Sequence, residues 1–308
     1  MIYTMTFNPS IDYMVSVDCF RLGSVNRMTN EYILPGGKGI NVSIVLNNLG
    51  IENIAMGFIS GFTGKEIKRS IEEDFHVHTH FIDVNNGYSR INFKIKSDDE
   101  SEVNGNGPFI TNEHLSLLMD ELNKLEEGDI LVLSGSIPSC MPNNIYASIM
   151  KQLQDKNIEI VVDATGDLLM NVLEYKPFVI KPNHQELEEM FHVKLRAKKD
   201  IAIYAKRLQE LGAKNVLISM AGSGAFFVCH DGTVYFCEAP IGEVKNSVGA
   251  GDSMVAGFIA GYKQTGDYIH AFKMGVATGS ASAFSHNLAT KQEVEELLEN
   301  ICVKEYKY

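Results

Sequence analysis

Short apolar runs alternate with longer segments of helical periodicity along most of the chain. The runs are rich in Val, Ile and Leu and are bounded by Gly, Asp or Asn, a pattern typical of buried strands. They are Ile54–Ile59, Ile130–Ser134, Ile158–Asp163, Phe178–Lys181 and Val216–Ser219. Helices are predicted between them and, after Ala250, at Met254–Tyr262, Ile269–Phe284 and Gln292–Ile301. This βαβ rhythm predicts an α/β fold in which helices flank a doubly wound, mostly parallel sheet.

Two helix boundaries can be assigned from single residues. The helical segment Ile40–Leu49 is followed by Gly50, which is suited to the left-handed position just beyond a helix. Thr111 is a suitable N-cap for a helix that runs to about Leu125.

Two stretches, about Ile11–Leu34 and Gly87–Gly107, break the rhythm. In the second, every other residue of Arg90–Lys96 is apolar, as expected for a half-exposed antiparallel strand. We therefore expect a small antiparallel β lid beside the main sheet. The chain shows no fixed-period repeat, and residues 1–308 are predicted to form a single domain that includes this lid.

Composition and charge narrow the classes of function. Hydrophobic residues make up 45% of the 308 residues, enough for a sizeable core. Lys and Arg number 27 against 39 Asp and Glu, and the net charge of -12 argues against a nucleic-acid partner. Because no stretch has the length and apolarity of a membrane span and the N-terminus lacks a signal-peptide pattern, we expect no membrane partner and a cytoplasmic location.

The cysteines and three closely spaced histidines favour neither a disulfide framework nor a metal site. The five cysteines form an odd set without a C-x-x-C, which favours packed thiols in a reducing compartment. His76, His78 and His80 would share one face of a strand, but no carboxylate or cysteine accompanies them at ligand spacing. We interpret them as ordinary strand histidines.

The strongest chemical signal is the segment Asn246–Ser253, NSVGAGDS, which leads directly into a helical pattern. Small residues at Gly249–Gly251 allow a tight turn that points backbone amides at one spot, and such a spot attracts a phosphate. Asp252 is placed to act as a base for a hydroxyl that attacks the transferred group. The alternative is an ordinary glycine-rich helix entry capped by the aspartate.

A second glycine turn, Leu34–Asn41 with the sequence LPGGKGIN, also precedes a helix. It does not have the spacing of a phosphate-binding Walker loop. It could bring backbone amides, Lys38 and Asn41 close to a polyhydroxylated ligand, or it could be purely structural.

A third motif, Lys181–Glu186, follows a predicted strand. Asn183 and Glu186 are three residues apart at a predicted helix start, so their side chains can face one point and could hold magnesium through water. A capping box explains the same spacing without a ligand. Asp163 ends the preceding strand, at the edge where doubly wound folds bind ligands.

Taken together, these motifs resemble the ribokinase/PfkB family of carbohydrate kinases over nearly the whole chain. The segments that carry the resemblance are Thr6–Asp12, Val25–Arg27, Pro35–Ser43, Arg90–Asn92, Ser134–Ser136, Lys181–Asn183 and Asn246–Ser253. Seven segments in the order of the family are far more specific than any one of them.

The resemblance implies a role for each matching residue on the sugar side. Asp252 would be the catalytic base, and Gly249, Ala250 and Gly251 would form the anion hole for the γ-phosphate. Further residues would contact the sugar phosphate: Asp12, Gly37 and Asn41 at hydroxyls, and Arg27, Lys38, Arg90 and Ser136 at or near the existing phosphate.

On the nucleotide side, the resemblance implies ATP and Mg²⁺. The residues expected to line the ATP cleft are Lys181, Asn183, Ser219, Gly222 and Gly224. Glu186 and Asp163 would organise the magnesium ion, mainly through water. The sequence departs from the family pattern at Ala221, where many relatives have glycine, and at Ser285–Asn287, near the expected adenine pocket.

The implied reaction is the ATP-dependent phosphorylation of fructose 1-phosphate at its 6-hydroxyl, with the lid closed over the sugar. Two alternatives stay open: a kinase for tagatose 6-phosphate, and a non-catalytic sugar-phosphate sensor. The intact Gly249–Asp252 turn argues against the sensor. Because the exposed edge of the lid could be covered by a second subunit, and because the family includes dimers that pair in this way, we expect a homodimer.

Overall fold

A computed structural model of the chain describes residues 1–307 and contains two sheets. The strands of the main sheet are β1 (Ile2–Thr6), β4 (Ile54–Ile59), β5 (His78–Asp83), β8 (Ile130–Ser134), β9 (Glu159–Asp163), β10 (Val179–Ile180), β11 (Asn215–Ser219), β12 (Ala225–Val228), β13 (Val234–Cys237) and β14 (Val303–Glu305). The strands of the lid are β2 (Ser10–Ser16), β3 (Asn30–Gly36), β6 (Arg90–Lys96) and β7 (Glu100–Asn104).

Ten α-helices connect these strands within the described residues. They are α1 (Lys38–Asn48), α2 (Gly61–Arg69), α3 (Asn112–Leu122), α4 (Ile145–Leu153), α5 (Gly166–Met170), α6 (His184–Phe191), α7 (Lys198–Glu210), α8 (Ala250–Thr265), α9 (Tyr268–Phe284) and α10 (Lys291–Leu298). Thr111 caps α3 through its side chain, and Gly50 adopts φ +78° just after α1, so both predicted helix boundaries are confirmed.

The main sheet has the order β14-β13-β12-β11-β10-β9-β8-β1-β4-β5. The strands from β11 to β5 are parallel, whereas β12, β13 and β14 extend the sheet as antiparallel strands. From β1 the chain builds outward through β4 and β5 on one side, and later from β8 to β11 on the other. The boundary between β1 and β8 is therefore a topological switch point, where open α/β sheets leave a crevice for ligands.

Both faces of the sheet are buried, which explains the continuous apolar runs in the sequence. Along β8, Leu131 and Leu133 belong to one core cluster, while Ile130 and Val132 belong to a second cluster on the opposite face. Helices α8 and α9 cover the second face and pack closely. At Gly257 a side chain would collide with Thr278, so this close approach requires glycine.

The lid is a separate four-stranded sheet with the order β3-β2-β6-β7. Strand β2 pairs antiparallel with β3 and parallel with β6, and β7 is antiparallel to β6. The predicted α/β fold and small lid are thus confirmed, except that the lid is a mixed sheet because β2 and β6 are parallel. The assignment of residues 1–308 to one domain stays a prediction. No helix within residues 1–307 is long and apolar enough to cross a membrane.

Candidate active site

A cavity of about 1040 Å³ lies between the main sheet and the lid. Its floor is formed where parallel strands end, at Thr6 in β1, Ser134 in β8, Ala164 after β9 and Ser219 in β11. Asp12, Arg90 and Asn92 of the lid line the opposite wall. The cavity is therefore at the switch point, and it is large enough for two small-molecule ligands side by side.

Three helices begin at this cavity, because α1, α6 and α8 start directly after Gly37, Asn183 and Gly249. The first amides of a helix have no earlier turn to bond, and the helix dipole adds positive potential at this end. Gly249 adopts φ +80°, a conformation that favours glycine, and this turn directs the start of α8 into the cavity. The uncapped starts of α1 and α8 make the cavity suited to phosphate groups, whereas the Gln185 and Glu186 amides of α6 already donate to Asn183 Oδ1.

Asp252 lies in the first turn of α8 and is only 7% exposed. Its Oδ2 atom accepts a hydrogen bond from Asn41 Nδ2 at 2.8 Å. Burial raises the pKa of Asp252 from 3.8 to about 6, and the negative charge of Asp163 adds to this rise. The Asn41 hydrogen bond and the two lysines described next act in the opposite direction. At neutral pH the carboxylate is thus ionised but more basic than an exposed aspartate, as a general base requires.

Asp163 is buried between two lysines of the site. Its Oδ1 atom is 3.2 Å from Lys38 Nζ and 3.3 Å from Lys181 Nζ. Burial alone would raise the pKa of Asp163, but Lys181 and Lys38 outweigh it and the pKa is lowered. Burial alone would lower the pKa of Lys38, but Asp163 and Asp252 outweigh it and the pKa is raised. The cluster therefore holds two ammonium groups at the centre of the cavity, beside the start of α8.

At the lid end, the carboxylate of Asp12 is held by its neighbours. Its Oδ1 atom accepts hydrogen bonds from Ser10 Oγ at 2.7 Å and Asn92 Nδ2 at 2.9 Å. The Nε–H group of Arg90 donates a hydrogen bond to the Asn8 carbonyl oxygen, with an Nε–O distance of 3.0 Å. The outer part of the guanidinium is left in the cavity. Burial lowers the pKa of Arg90, although Asp12 opposes the change. This end thus offers both a hydroxyl acceptor and a cation.

The same end contains buried polar atoms that have no hydrogen-bond partner within residues 1–307. They are Thr6 Oγ1, Asn8 Oδ1, Asn92 Oδ1 and Ser134 Oγ, and all four residues line the cavity. Buried polar groups are nearly always paired, so unpaired atoms around a cavity indicate a polar ligand. None of these residues was singled out from the sequence as a site residue, although each belongs to one of the segments that carried the family resemblance.

The nucleotide end contains the expected residues: Lys181, Asn183, Ser219, Gly222 and Gly224 all line the cavity. Asn183 and Glu186 form a capping box at the start of α6, in which Asn183 Oδ1 accepts from two backbone amides and Glu186 Oε2 accepts from Asn183 N. Glu186 also lines the cavity, so the cap does not withdraw this carboxylate from a ligand. Pro240, Ile241 and Phe284 add an apolar wall that was not predicted.

A family model described as the pfkB family carbohydrate kinase matches residues 5–295. The chain belongs to this family. A 1-phosphofructokinase from Bacillus subtilis is 45% identical to this chain, and the match covers 98% of this chain and 99% of the B. subtilis protein. A D-tagatose-1-phosphate kinase from Bacillus licheniformis is 33% identical, with 98% of both chains covered. The crystal structure of Escherichia coli phosphofructokinase-2 in complex with fructose-6-phosphate superposes with a TM-score of 0.90, at 25% identity, covering 97% of this chain and 98% of that chain.

The kinase departs from two expectations about individual residues. Arg27 is exposed in the segment between β2 and β3 and does not line the cavity of its own chain. Asp163 lies beneath the lining residues and faces the two lysines. The remaining predicted residues, including Gly37, Lys38, Asn41 and Ser136, do line the cavity.

Two residues marked by the sequence have structural explanations. Ala221 adopts φ +48°, in the left-handed region that favours glycine, which accounts for glycine at this position in many relatives. Ser285, near the expected adenine pocket, hydrogen-bonds Glu293 of α10. Within residues 1–307, no three His, Cys, Asp or Glu side chains are grouped so that they could hold a metal ion.

Proposed function

We propose that the kinase transfers the γ-phosphoryl group of ATP to the 6-hydroxyl of fructose 1-phosphate, giving fructose 1,6-bisphosphate and ADP. The observation that carries this proposal is the buried carboxylate of Asp252 at the N-terminus of α8, between a lid that offers hydroxyl acceptors and a glycine-rich nucleotide end. The 45% identity to the B. subtilis 1-phosphofructokinase supports the choice of sugar phosphate.

The sugar phosphate is placed at the lid end of the cavity. Asp12, Asn41 and Gly37 contact its hydroxyls, and Arg90 is the main cation for its phosphate, with Lys38 and Ser136 nearby. The unpaired oxygens of Asn8 and Asn92 provide further acceptors for hydroxyl groups. A polyol that carries one phosphate matches this mixture of acceptors and cations.

ATP is placed at the other end, with its phosphates over the starts of α6 and α8. Lys181, Asn183, Ser219, Gly222 and Gly224 contact the nucleotide, and Mg²⁺ would shield the phosphate charge during transfer. Glu186 keeps its Oε1 atom available for a magnesium-bound water, since Oε2 accepts the Asn183 amide. Asp163 Oδ2 is buried and unpaired within the described chain, so it suits an indirect contact through water. These residues fit a hydrated ion better than a direct protein cage.

The chemistry of the step follows from these positions. Asp252 accepts the proton of the attacking 6-hydroxyl, and Asn41 orients the carboxylate for this transfer. The amides of Gly249, Ala250 and Gly251 stabilise the charge that develops on the transferred phosphoryl group. Closure of the lid would exclude water and so limit the loss of ATP to hydrolysis.

We further propose a homodimer that pairs through the lid. Ile33, Ile91 and Val103 share the lid face that points away from the cavity, and their side chains are 59%, 38% and 65% exposed. A second lid would bury this face. Such a dimer is also the arrangement in which the exposed Arg27 could approach a sugar phosphate, namely that of the partner subunit. Light scattering at micromolar concentration tests the dimer, which a monomeric mass would exclude.

A tagatose phosphate is the second candidate substrate, because two relatives at 33% and 31% identity are D-tagatose-1-phosphate kinases. Tagatose differs from fructose only in the configuration at carbon 4, so the distinction rests on a single hydroxyl. A non-catalytic sensor has no comparable support among the relatives, and the buried Asp252 argues against it.

The deciding experiment is a coupled ADP-release assay with Mg-ATP. The acceptors are fructose 1-phosphate, tagatose 1-phosphate, tagatose 6-phosphate, fructose 6-phosphate and fructose. We expect kcat/KM to be at least 100-fold higher for fructose 1-phosphate, which corresponds to about 2.7 kcal/mol of transition-state discrimination. An equal or greater value for a tagatose phosphate would move the assignment to that sugar. Binding of a sugar phosphate without turnover of any acceptor would favour the sensor.

A further inference from the structure

A lysine that the sequence did not single out lies buried on the cavity side of the lid. Lys94 of β6 is 7% exposed, and its Nζ atom is 3.2 Å from Asp12 Oδ2 and 3.6 Å from Glu102 Oε1. These three residues belong to β6, β2 and β7 and all line the cavity. A buried ammonium group is costly unless carboxylates compensate it, so the two ion pairs account for the lysine in this position.

The neighbours of Asp12 leave one hydrogen-bond acceptor position of its carboxylate unoccupied. A carboxylate has about four acceptor positions, two on each oxygen. On Asp12, Oδ1 already accepts from Ser10 and Asn92, and Oδ2 faces Lys94. One acceptor position therefore remains on Oδ2, and Lys94 determines where it points.

Lys94 and Arg90, which lie on the same strand, differ in their ion pairs. Lys94 is paired with two carboxylates, so the group of three side chains carries no positive charge for an anionic ligand. Arg90 makes no ion pair within residues 1–307 and uses its Nε atom on a backbone carbonyl. The cation available for the sugar phosphate is Arg90, while Lys94 is engaged in holding a carboxylate.

We propose that Lys94 is a positioning residue for sugar recognition, which fixes Asp12 so that its remaining acceptor position on Oδ2 receives one ring hydroxyl of the substrate. The inference rests on the proposed function, since it names the side chain that sets hydroxyl specificity in the same site. It concerns recognition of the sugar hydroxyl and leaves the phosphate to other residues.

The test combines changes in the protein with changes in the substrate. The variants Lys94→Met, Asp12→Asn and the double variant are assayed with fructose 1-phosphate and with its 3-deoxy and 4-deoxy analogues. One analogue lacks the hydroxyl bound by Asp12, and the wild type discriminates against it. We expect Lys94→Met and Asp12→Asn each to reduce this discrimination at least tenfold, and the double variant to stay within threefold of either single variant, because the two residues act as one unit.

Lys96→Met is the matched control, since Lys96 is an exposed lysine two residues along the same strand. It should keep the full discrimination. The KM for ATP should remain within twofold in every variant. A merely structural role for Lys94 would lower the melting temperature and reduce turnover of all three sugars by one common factor, and that result would overturn the proposal.

A direct contact between Lys94 and the sugar phosphate predicts a different pattern. Lys94→Gln keeps an N–H group for Asp12 but carries no charge, so it separates the positioning of Asp12 from the attraction of an anion; Lys94→Ala replaces Lys94→Met if that variant does not fold. Retained discrimination between fructose 1-phosphate and its deoxy analogue in Lys94→Gln supports positioning of Asp12. Loss of the preference for fructose 1-phosphate over fructose, with the deoxy discrimination unchanged, overturns it.

The wild-type measurements distinguish a failure of the proposed function from a failure of the role proposed for Lys94. Turnover of tagatose 1-phosphate in place of fructose 1-phosphate would refute the proposed function but would still decide the role of Lys94. The 4-deoxy analogue is common to both sugars, because removal of the hydroxyl removes the only difference between them. The same variants would then be compared on tagatose 1-phosphate.

Discussion

Replacing Asp252 with asparagine should abolish most activity and at the same time stabilise the protein. The substitution keeps the shape of the side chain and allows its oxygen to accept from Asn41, but it removes the proton acceptor. A positioned general base contributes roughly 10²–10⁴-fold to the rate, so we expect kcat to fall by about this factor while the KM for sugar phosphate changes little.

The stability gain follows from the pKa of the buried carboxylate. Folding raises the pKa of Asp252 from 3.8 to about 6. At about 1.4 kcal/mol per pKa unit, the protein with an ionised Asp252 is less stable by about 3 kcal/mol than the protein with a protonated Asp252. Because this is an acid with a raised pKa, the wild type loses this stability as pH rises from about 4 to 6. The asparagine variant does not ionise, so its advantage should reach at most about 3 kcal/mol at pH 7.5 and disappear near pH 4.

Urea denaturation at pH 4, 6 and 7.5 measures the stability, and the ADP-release assay measures turnover. Asp120→Asn is the control, because it removes the same charge from an exposed position on α3. Near wild-type turnover in Asp252→Asn would refute the role of Asp252 as the base. A stability difference that does not change with pH would refute the argument from burial.

Three further substitutions test the electrostatics and the backbone. The acid limb of the kcat/KM profile, which reports the ligand-free enzyme, should have its midpoint near pH 6, and Asn41→Ala should move it to higher pH, since the hydrogen bond from Asn41 lowers the pKa of Asp252 in the wild type; an unmoved midpoint contradicts this. Asp163→Ala should lower the free energy of unfolding by roughly 3–5 kcal/mol in urea titrations, because Lys38 and Lys181 lose their shared carboxylate; a small effect would mean that the lysines find other partners. Ala221→Gly should raise the melting temperature slightly, corresponding to about 1 kcal/mol of relieved left-handed strain; a clear decrease would show that this strain is absent.

Much of the parallel sheet could be predicted from local patterns. The observed bounds of β4 and β8 agree with the apolar runs Ile54–Ile59 and Ile130–Ser134, because both faces of a central parallel strand are buried. Helix bounds were less accurate. Helix α8 begins at Ala250, four residues before the predicted Met254, because its first turn contains the polar and glycine residues of the site.

The antiparallel extension of the sheet was not predicted. Strands β12, β13 and β14 contain only four, four and three residues, too few for a clear alternation. Val303 of β14 pairs with Cys237 of β13, more than sixty residues earlier in the chain. Such a pairing depends on the packing of the intervening helices and leaves no local signal.

In the candidate site, too, some residues could be predicted from local sequence features and others depend on the tertiary structure. Glycine turns, an aspartate at a helix start and a strand ending in a carboxylate are local features, and from them the sequence predicted Lys38, Asp252 and Asp163 as site residues. The roles of Lys94 and Asn92 depend on which strands the lid places side by side, and the alternating segment Arg90–Lys96 by itself did not indicate them. Arg27 was predicted from a family segment but does not line the cavity of its own chain, so its role at the sugar phosphate stays a prediction.

The sequence by itself predicted most strands of the parallel sheet, the glycine turn before α8 and Asp252 as the candidate base, because each depends on residues that are neighbours along the chain. Only the tertiary structure decided the environment of that carboxylate. Asp252 gains its pKa from burial and from Asp163, a residue on a different strand, while Asn41 of another helix orients it. Electrostatic energy depends on distance through space and on exclusion of water, and neither can be obtained from order along the chain.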